Sequence, residues 1–367
     1  MKTIKVKLRD NSYDINIGLN LFNNISDYIN KLKIGNFAVI VTSRSVCSYY
    51  KTLVGKSFKR IQNKIIVLPD GENAKTKESL FKIIDGVIKA DKIGRKIFIV
   101  CLGGGTIGDV GGFAASIYKR GISYVQIPTT LLSQIDASIG GKTAIDLSQA
   151  KNILGSFCQP KAVFIDPVFL QTLAKNELKE GLAEAVKYGI IKDSNFFHFL
   201  ENNYQKVLSL QSPVILKVIE TCAKIKAGVV EEDEKEKKGV RTLLNFGHTL
   251  AHAIETASEY KKISHGAAVS VGMVYAAYLS YNLGFCGRQE INEVKAILYK
   301  LTLPTQIDFD YAKIYKAMNY DKKFIRGSFR FVALRKIGKA EVVENVSKDL
   351  VCNTLRKFNS SQESPGF

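Results

Sequence analysis

The chain has 367 residues, 46% hydrophobic and 24% charged, an ordinary globular balance that excludes wholesale disorder and suggests about two domains. Its six cysteines, Cys47, Cys101, Cys158, Cys222, Cys286 and Cys352, form no C-x-x-C pair, which excludes a disulfide scaffold and suits reduced thiols in the cytoplasm. The 53 basic residues outnumber 34 acidic ones to give +19, yet the lysines are dispersed, which fits an anionic small-molecule substrate better than a nucleic-acid face.

In chain order, the N-terminus MKTIKVKLRD alternates charge with β-formers and lacks the apolar stretch of an export signal. Short β-branched runs follow at FAVIVT (37–42), KIIVL (64–68), IFIVCL (97–102), YVQI (124–127) and AVFI (162–165), separated by helix-length stretches. Continuous apolar strands of this kind are buried on both faces, so a mostly parallel sheet covered by helices is expected. From about Leu170 the spacing becomes helical, with strand signals returning only at FRFVAL (329–334) and EVVE (341–344). The expected organisation is a Rossmann-like α/β domain over 1–170, a mainly α-helical domain over 171–355 and a loose tail over 356–367. The mixed-charge run EEDEKEKK (231–238) reads as a solvated loop. The uncharged segment 267–286 is only mildly apolar, with Ser270, Tyr275, Tyr278 and Asn282, and reads as a buried helix rather than a membrane span.

Three segments carry possible chemistry. GGGTIGDVGG (103–112) follows a strand and holds G-x-G-x-x-G at Gly103, Gly105 and Gly108; it fits either a phosphate cradle or a tight strand–helix turn. The next strand leads into PTTLLSQIDASIGGK (128–142), and with Lys151 and Asn152 it places Thr129, Thr130, Asp136, Gly140, Gly141 and Lys142 in one polar cluster. Polar segments at adjacent strand ends point to a shared crevice. Of four histidines, His248, His252 and His265 fall within 18 residues, the first two at i and i+4 on one helix face. Thr249 stands where a zinc protease would need glutamate, so that pattern fails. Structural histidines and a metal cluster both remain open, and Glu184, with Lys187 one turn on, is the carboxylate best placed to complete a His₂Glu site.

Taken together, PDGENAK (69–75), GGGTIGDVGGF (103–113), YKRG (118–121), QIPTTLLSQIDASIGGKTAID (126–146), KNILGSFCQP (151–160), AEAVKYGII (183–191), RTLLNFGHTLAHAIE (241–255), HG (265–266) and DKK (321–323) resemble the 3-dehydroquinate synthase family of sugar-phosphate cyclases. The resemblance spans about residues 35–340 and implies that family's α/β-plus-helical fold and an NAD- and metal-dependent, phosphate-eliminating reaction. It implies zinc or cobalt on Glu184, His248 and His265, with His252 left to contact substrate or move a proton. NAD would meet Asp70, Gly71, Glu72, Asn73, Ala74 and Lys75, the turn Gly105, Thr106, Ile107, Gly108 and Asp109, then Thr129, Thr130, Lys142, Lys151, and Phe169, Leu170, Gln171 and Thr172. The substrate would be held by Arg120, reaching across a homodimer interface, and by Lys142, Asn152, Lys187, Lys226, Arg241, Asn245, His252 and Lys323, with Asp136 orienting them. The implied chemistry turns 3-deoxy-D-arabino-heptulosonate 7-phosphate into 3-dehydroquinate, with NAD regenerated in each turnover.

Three departures from the resemblance stand out. Ala267 follows Gly266 where the family usually reads His-Gly-Glu, Ser43 occupies a position often acidic or amide, and the 231–238 loop carries one extra residue. A lost carboxylate beside a ligand histidine would loosen the metal site. The alternatives are a cyclase making another carbocycle, a metal-dependent polyol dehydrogenase, or a basic nucleic-acid-binding protein. Lys151, Asn152 and His252 together favour dehydroquinate formation.

Overall fold

The computed structural model describes residues 1–258, 263–320 and 329–360. The chain divides into two compact units, Met1–Leu178 with Ile215–Lys235, and Lys179–Val214 with Glu236–Phe367. Residues 171–178 and 215–235, expected in the second domain, therefore pack with the first.

In the first unit the strands are β1 (Lys2–Val6), β2 (Tyr13–Ile17), β3 (Phe37–Ser43), β4 (Gln62–Leu68), β5 (Ile97–Gly103), β6 (Tyr124–Pro128), β7 (Lys142–Leu147), β8 (Ala150–Phe157) and β9 (Ala162–Ile165). Seven of them form one sheet in the order β1-β2-β9-β6-β5-β3-β4. Only β1–β2 pairs antiparallel in it; the other pairs are parallel. The continuous apolar runs are explained by burial on both sides. Ala38, Ile40, Phe98, Val100 and Leu102 enter one core, while Val39, Val41, Ile97, Ile99 and Cys101 enter the other.

Helices α1 (Ile25–Lys31), α2 (Arg44–Ser57), α3 (Lys77–Ala90) and α4 (Gly105–Ile117) alternate with these strands. Strand β3 pairs with β4 on one side and β5 on the other, so the winding reverses between β3 and β5. Ligands of open α/β sheets sit outside the carboxyl ends of strands at such a reversal. The β7–β8 hairpin, read from sequence as a polar loop cluster, is a separate two-stranded sheet.

The remaining helices are α5 (Lys175–Lys192), α6 (Ser194–Asn202), α7 (Tyr204–Leu208), α8 (Ser212–Glu232), α9 (His248–Ala257), α10 (His265–Asn282), α11 (Arg288–Lys300), α12 (Tyr311–Tyr320) and α13 (Lys348–Ser360), with the hairpin β10 (Phe329–Lys336) and β11 (Lys339–Val346). Most of α8 belongs to the first unit. In the second unit, α10 is buried on every side from Ala268 to Ala277, as its uncharged sequence suggested. Among the described residues no helix is long and apolar enough to cross a membrane. A Cβ on Gly272 would collide with the carbonyl of Gly247, so glycine is what lets α10 pack directly against the start of α9.

Two expectations are corrected here. The tail expected from residue 356 is helical through Ser360, with Leu355 and Phe358 buried and Phe358 edge-on to Tyr275 and Tyr278. The run 231–238 is not wholly solvated: Asp233 is buried, Glu234 accepts from Gln159, and Glu236 pairs with buried Arg241 at 3.1 Å.

Candidate active site

In the first unit most of the expected cofactor residues lie at the carboxyl ends of parallel strands, while Lys142 and Lys151 lie on the antiparallel β7–β8 hairpin. Asp70 to Lys75 follow β4 in a 3₁₀ turn, Gly105 to Asp109 begin α4 after β5, Thr129 and Thr130 follow β6, and Phe169 to Thr172 lie in the 3₁₀ turn after β9. Helix α4 begins at Gly105 with no side-chain cap from Gly104, which leaves first-turn N–H groups available to solvent or an anion. A Cβ at Gly108 would stand 2.8 Å from the Gln126 amide, which explains the glycine there.

Asp70 ties this edge together by accepting the N–H and hydroxyl of Ser45 at 2.9 and 2.6 Å. Ser43 caps α2 through the N–H of Val46. Lys75, buried, donates to Asp109 at 2.6 Å. The side chains of Ala74, Ile107, Phe169 and Leu170 are core, which leaves only their backbone to a ligand. Gln171 and Thr172 are exposed, and the Thr172 hydroxyl meets Tyr50 at 2.8 Å.

Among the expected substrate residues of this unit, Asp136 forms an ion pair with the largely buried Lys226 of α8, joining positions 90 residues apart. Lys142, Lys151 and Asn152 are exposed on the β7–β8 hairpin, where Asn152 has φ 54° and donates its N–H to Asp146 at 2.7 Å. Lys119, Arg120 and Gly121 have φ of 48°, 64° and 123°. Asp91 anchors this turn by accepting from the Tyr118 hydroxyl at 2.6 Å and the Lys119 ammonium at 2.5 Å.

The second unit builds a compact ligand cluster. Glu184 projects from α5, His248 begins α9 and His265 begins α10. Their ligand atoms all lie within 4.8 Å of one another. Both Nε2 atoms stand 3.6 Å from Oε1 of Glu184, while Oε2 faces Lys187 in an ion pair. Two ligands each ~2.1 Å from a tetrahedral ion sit roughly 3.4 Å apart, so this spacing fits zinc. Oε1 of Glu184, which does not face Lys187, is buried without a hydrogen-bond partner, an arrangement that a cation resolves.

The far ring nitrogens are also engaged. Nδ1 of His248 meets the Phe246 carbonyl at 3.2 Å, and Nδ1 of His265 meets Oε1 of Glu255 at 3.1 Å. Sequence reasoning did not single out Glu255, although its place seven residues after His248 puts it near the same helix face. His252 is exposed one turn along α9, its ring 5.5 Å from that of His248, and is not among the converging ligand atoms. Arg241 is buried and Asn245 half-buried in the 3₁₀ turn before α9. Lys323 lies outside the described residues.

Metal ligation at this cluster would displace the proton that Glu184 and Glu255 otherwise hold on His265. Burial pushes His248 down to about 3, keeping its imidazole neutral. Burial opposes the charge on His265 as well, but contacts with Glu184 and Glu255 carry it up to about 10. Burial likewise opposes the charge on Glu184, yet Lys187 and the two histidines hold it well below the usual carboxylate range. A carboxylate and two imidazoles converging around one point are the donor set of a divalent metal in an enzyme site, with positions open to substrate.

This fold and cluster define a metal-site enzyme built on an α/β nucleotide-type sheet and a helical unit, and comparison with known proteins narrows the class. Family models for the 3-dehydroquinate synthase N-terminal and C-terminal regions match residues 65–180 and 181–324. A 3-dehydroquinate synthase from Desulforamulus reducens is 40% identical over 95% of this chain and 98% of its own. One from Buchnera aphidicola is 42% identical over 97% of each. A solved 2-epi-5-epi-valiolone synthase from Streptomyces hygroscopicus, with NAD+ and Zn2+ bound, superposes with a TM-score of 0.87 at 27% identity, over 97% of this chain and 99% of that one. The chain belongs to the 3-dehydroquinate synthase family.

Proposed function

We propose that this enzyme converts 3-deoxy-D-arabino-heptulosonate 7-phosphate to 3-dehydroquinate and phosphate, a carbon–oxygen lyase reaction. The observation that carries the reading is the convergence of Glu184, His248 and His265 in a chain about 40% identical, over nearly its whole length, to 3-dehydroquinate synthases. The higher identity to those relatives than to the valiolone synthase favours this substrate over that of another cyclase.

In this reading NAD lies along the carboxyl edge of the sheet, on the α4 N-terminus, the 70–75 turn and Thr129–Thr130, and zinc or cobalt sits on Glu184, His248 and His265. When bound, the metal would supply polarisation of a substrate hydroxyl and NAD a reversible hydride acceptor, the chemistry that a phosphate elimination and aldol closure without net oxidation requires.

The chain's own residues bind and orient. Arg120, Lys142, Asn152 and Lys226 of the first unit, and Lys187, Arg241 and Asn245 of the second, supply cationic and amide donors suited to phosphate and carboxylate oxygens. Asp136 fixes the Lys226 ammonium. His252, exposed beside the cluster, is the group available to hold or move a proton on the substrate. Lys323 completes the expected donor set. The expected homodimer, with Arg120 serving a neighbouring copy, and a cytoplasmic setting belong to the same reading, the latter in keeping with six free thiols.

The test is phosphate release from the heptulosonate phosphate by chelated protein, with catalytic NAD and with or without added zinc or cobalt, while NADH absorbance is followed. Metal-dependent release without lasting NADH is expected. Accumulating NADH would indicate a dehydrogenase, and folded, metal-loaded protein that releases no phosphate would overturn the assignment.

A further inference from the structure

We propose that Glu255 is a positioning residue of the metal centre, holding the His265 ring so that its Nε2 faces Glu184 and the ion. The proposal rests on the reading of Glu184, His248 and His265 as metal ligands.

The two histidines are secured differently. His248 is largely buried, and its Nδ1 meets the carbonyl of Phe246, two residues away. His265 is more open, with 34% of its side chain exposed. Its immediate neighbours do not hold its ring: the N–H of Gly266 goes to Glu180, that of Ala267 to the Ser264 hydroxyl, and Ala267 offers only a methyl group. The ring is engaged instead by a carboxylate from a different helix. Glu255, near the end of α9 and with 13% of its side chain exposed, places Oε1 3.1 Å from Nδ1 of His265. The direct packing of α9 on α10 at Gly272 makes this reach possible.

The chemical consequence is specific. A neutral imidazole carries one N–H, and a carboxylate at Nδ1 draws that proton there. The lone pair is then left on Nε2, pointing at Oε1 of Glu184 from 3.6 Å. Without the acceptor, both tautomer and ring orientation are unspecified in an open site. Loss of such an outer partner typically weakens metal binding about 10- to 100-fold.

Zinc affinity of the full chain is measured by chelator competition for wild type, E255A, E255Q, E255D and H265A, with the visible absorption of the cobalt-loaded proteins and the melting temperatures of the metal-free ones. The wild type is expected to bind one zinc tightly and H265A to lose it. E255A is expected to bind about 10- to 100-fold more weakly with an altered cobalt spectrum, and its metal-free melting is expected to stay near wild type. E255Q retains an oxygen acceptor and is expected to recover most of the affinity, whereas E255D withdraws the oxygen and is expected to weaken binding even if E255A fails to fold. Wild-type affinity and spectrum in E255A and E255D would overturn the proposal while leaving the metal reading intact, as would E255Q binding no better than E255A. A wild type that binds no zinc, or an H265A variant that binds it normally, would overturn the metal reading itself.

Discussion

The ammonium of Lys75 lies 2.6 Å from Oδ2 of Asp109, joining the turn after β4 to the first turns of α4 across the carboxyl edge of the sheet. Burial pushes the Asp109 carboxyl up to about 6 although Lys75 opposes the shift. Burial works against the charge on Lys75 too, but Asp109 holds it above its usual value, so it stays charged throughout the acid range. The pair fastens two segments expected to meet NAD, and its ionisation state is set by a contest between desolvation and attraction.

A pH prediction follows with a definite sign. Because Asp109 binds its proton more tightly folded than unfolded, its contribution to stability is complete below about pH 4 and is lost as pH rises through about 6. Asn cannot titrate, so the cost of D109N relative to wild type shrinks across that window, by about 3 kcal/mol at most for a shift of roughly two units. Urea unfolding of both proteins between pH 4 and 7.5 checks this. A cost that grows with pH would show that attraction, not burial, governs the pair.

Replacing any of the three metal ligands removes a donor from a site that has three. E184Q, H248A and H265A are each expected to abolish tight zinc binding and metal-dependent phosphate release, while H252A leaves the zinc stoichiometry at one and lowers turnover. Equilibrium dialysis followed by elemental analysis separates the two classes. Zinc lost in H252A would place that histidine among the ligands.

Asp91 holds the Tyr118–Gly121 turn, in which two non-glycine residues adopt positive φ. Such backbone persists when its surroundings over-determine it. D91N keeps an acceptor for Tyr118 but loses the charge that draws Lys119. If Arg120 binds substrate, D91N raises KM for the heptulosonate phosphate several-fold with little change in kcat or in melting temperature. Steady-state kinetics provide the test, and an unchanged KM would separate the turn from substrate binding.

The C-terminal helix is part of the fold. Phe358 is 5% exposed and stands 5.8 Å, ring to ring, from both Tyr275 and Tyr278 of α10. F358A is expected to cost about 3–5 kcal/mol, the usual price of emptying a buried aromatic site. Thermal melting measures it, and a shift of a degree or less would restore the view of this segment as a tail.

Much of the first unit was legible in the sequence because its signals are local. A strand buried on both faces must be apolar without interruption, so FAVIVT and IFIVCL announce themselves. A helix N-terminus that approaches a ligand must open with small residues, so the glycines at 103–108 stand out. The β7–β8 hairpin escaped because most of β8 is exposed and carries no burial pattern. The last turn of α13, 356–360, was read as tail because Phe358 is its one apolar residue and polar C-terminal residues follow it.

What the sequence determined by itself was the family, five of the seven strands of the sheet and the identity of the candidate ligands, since side-chain chemistry and periodicity are written residue by residue. The tertiary structure decided which groups act together. It brought Lys226 to Asp136 from 90 positions away, carried most of α8 back to the first unit, and set Glu255 behind His265. Such pairings depend on how helices pack, as at Gly272 against Gly247, and no local pattern encodes which side chains a close crossing will bring within reach.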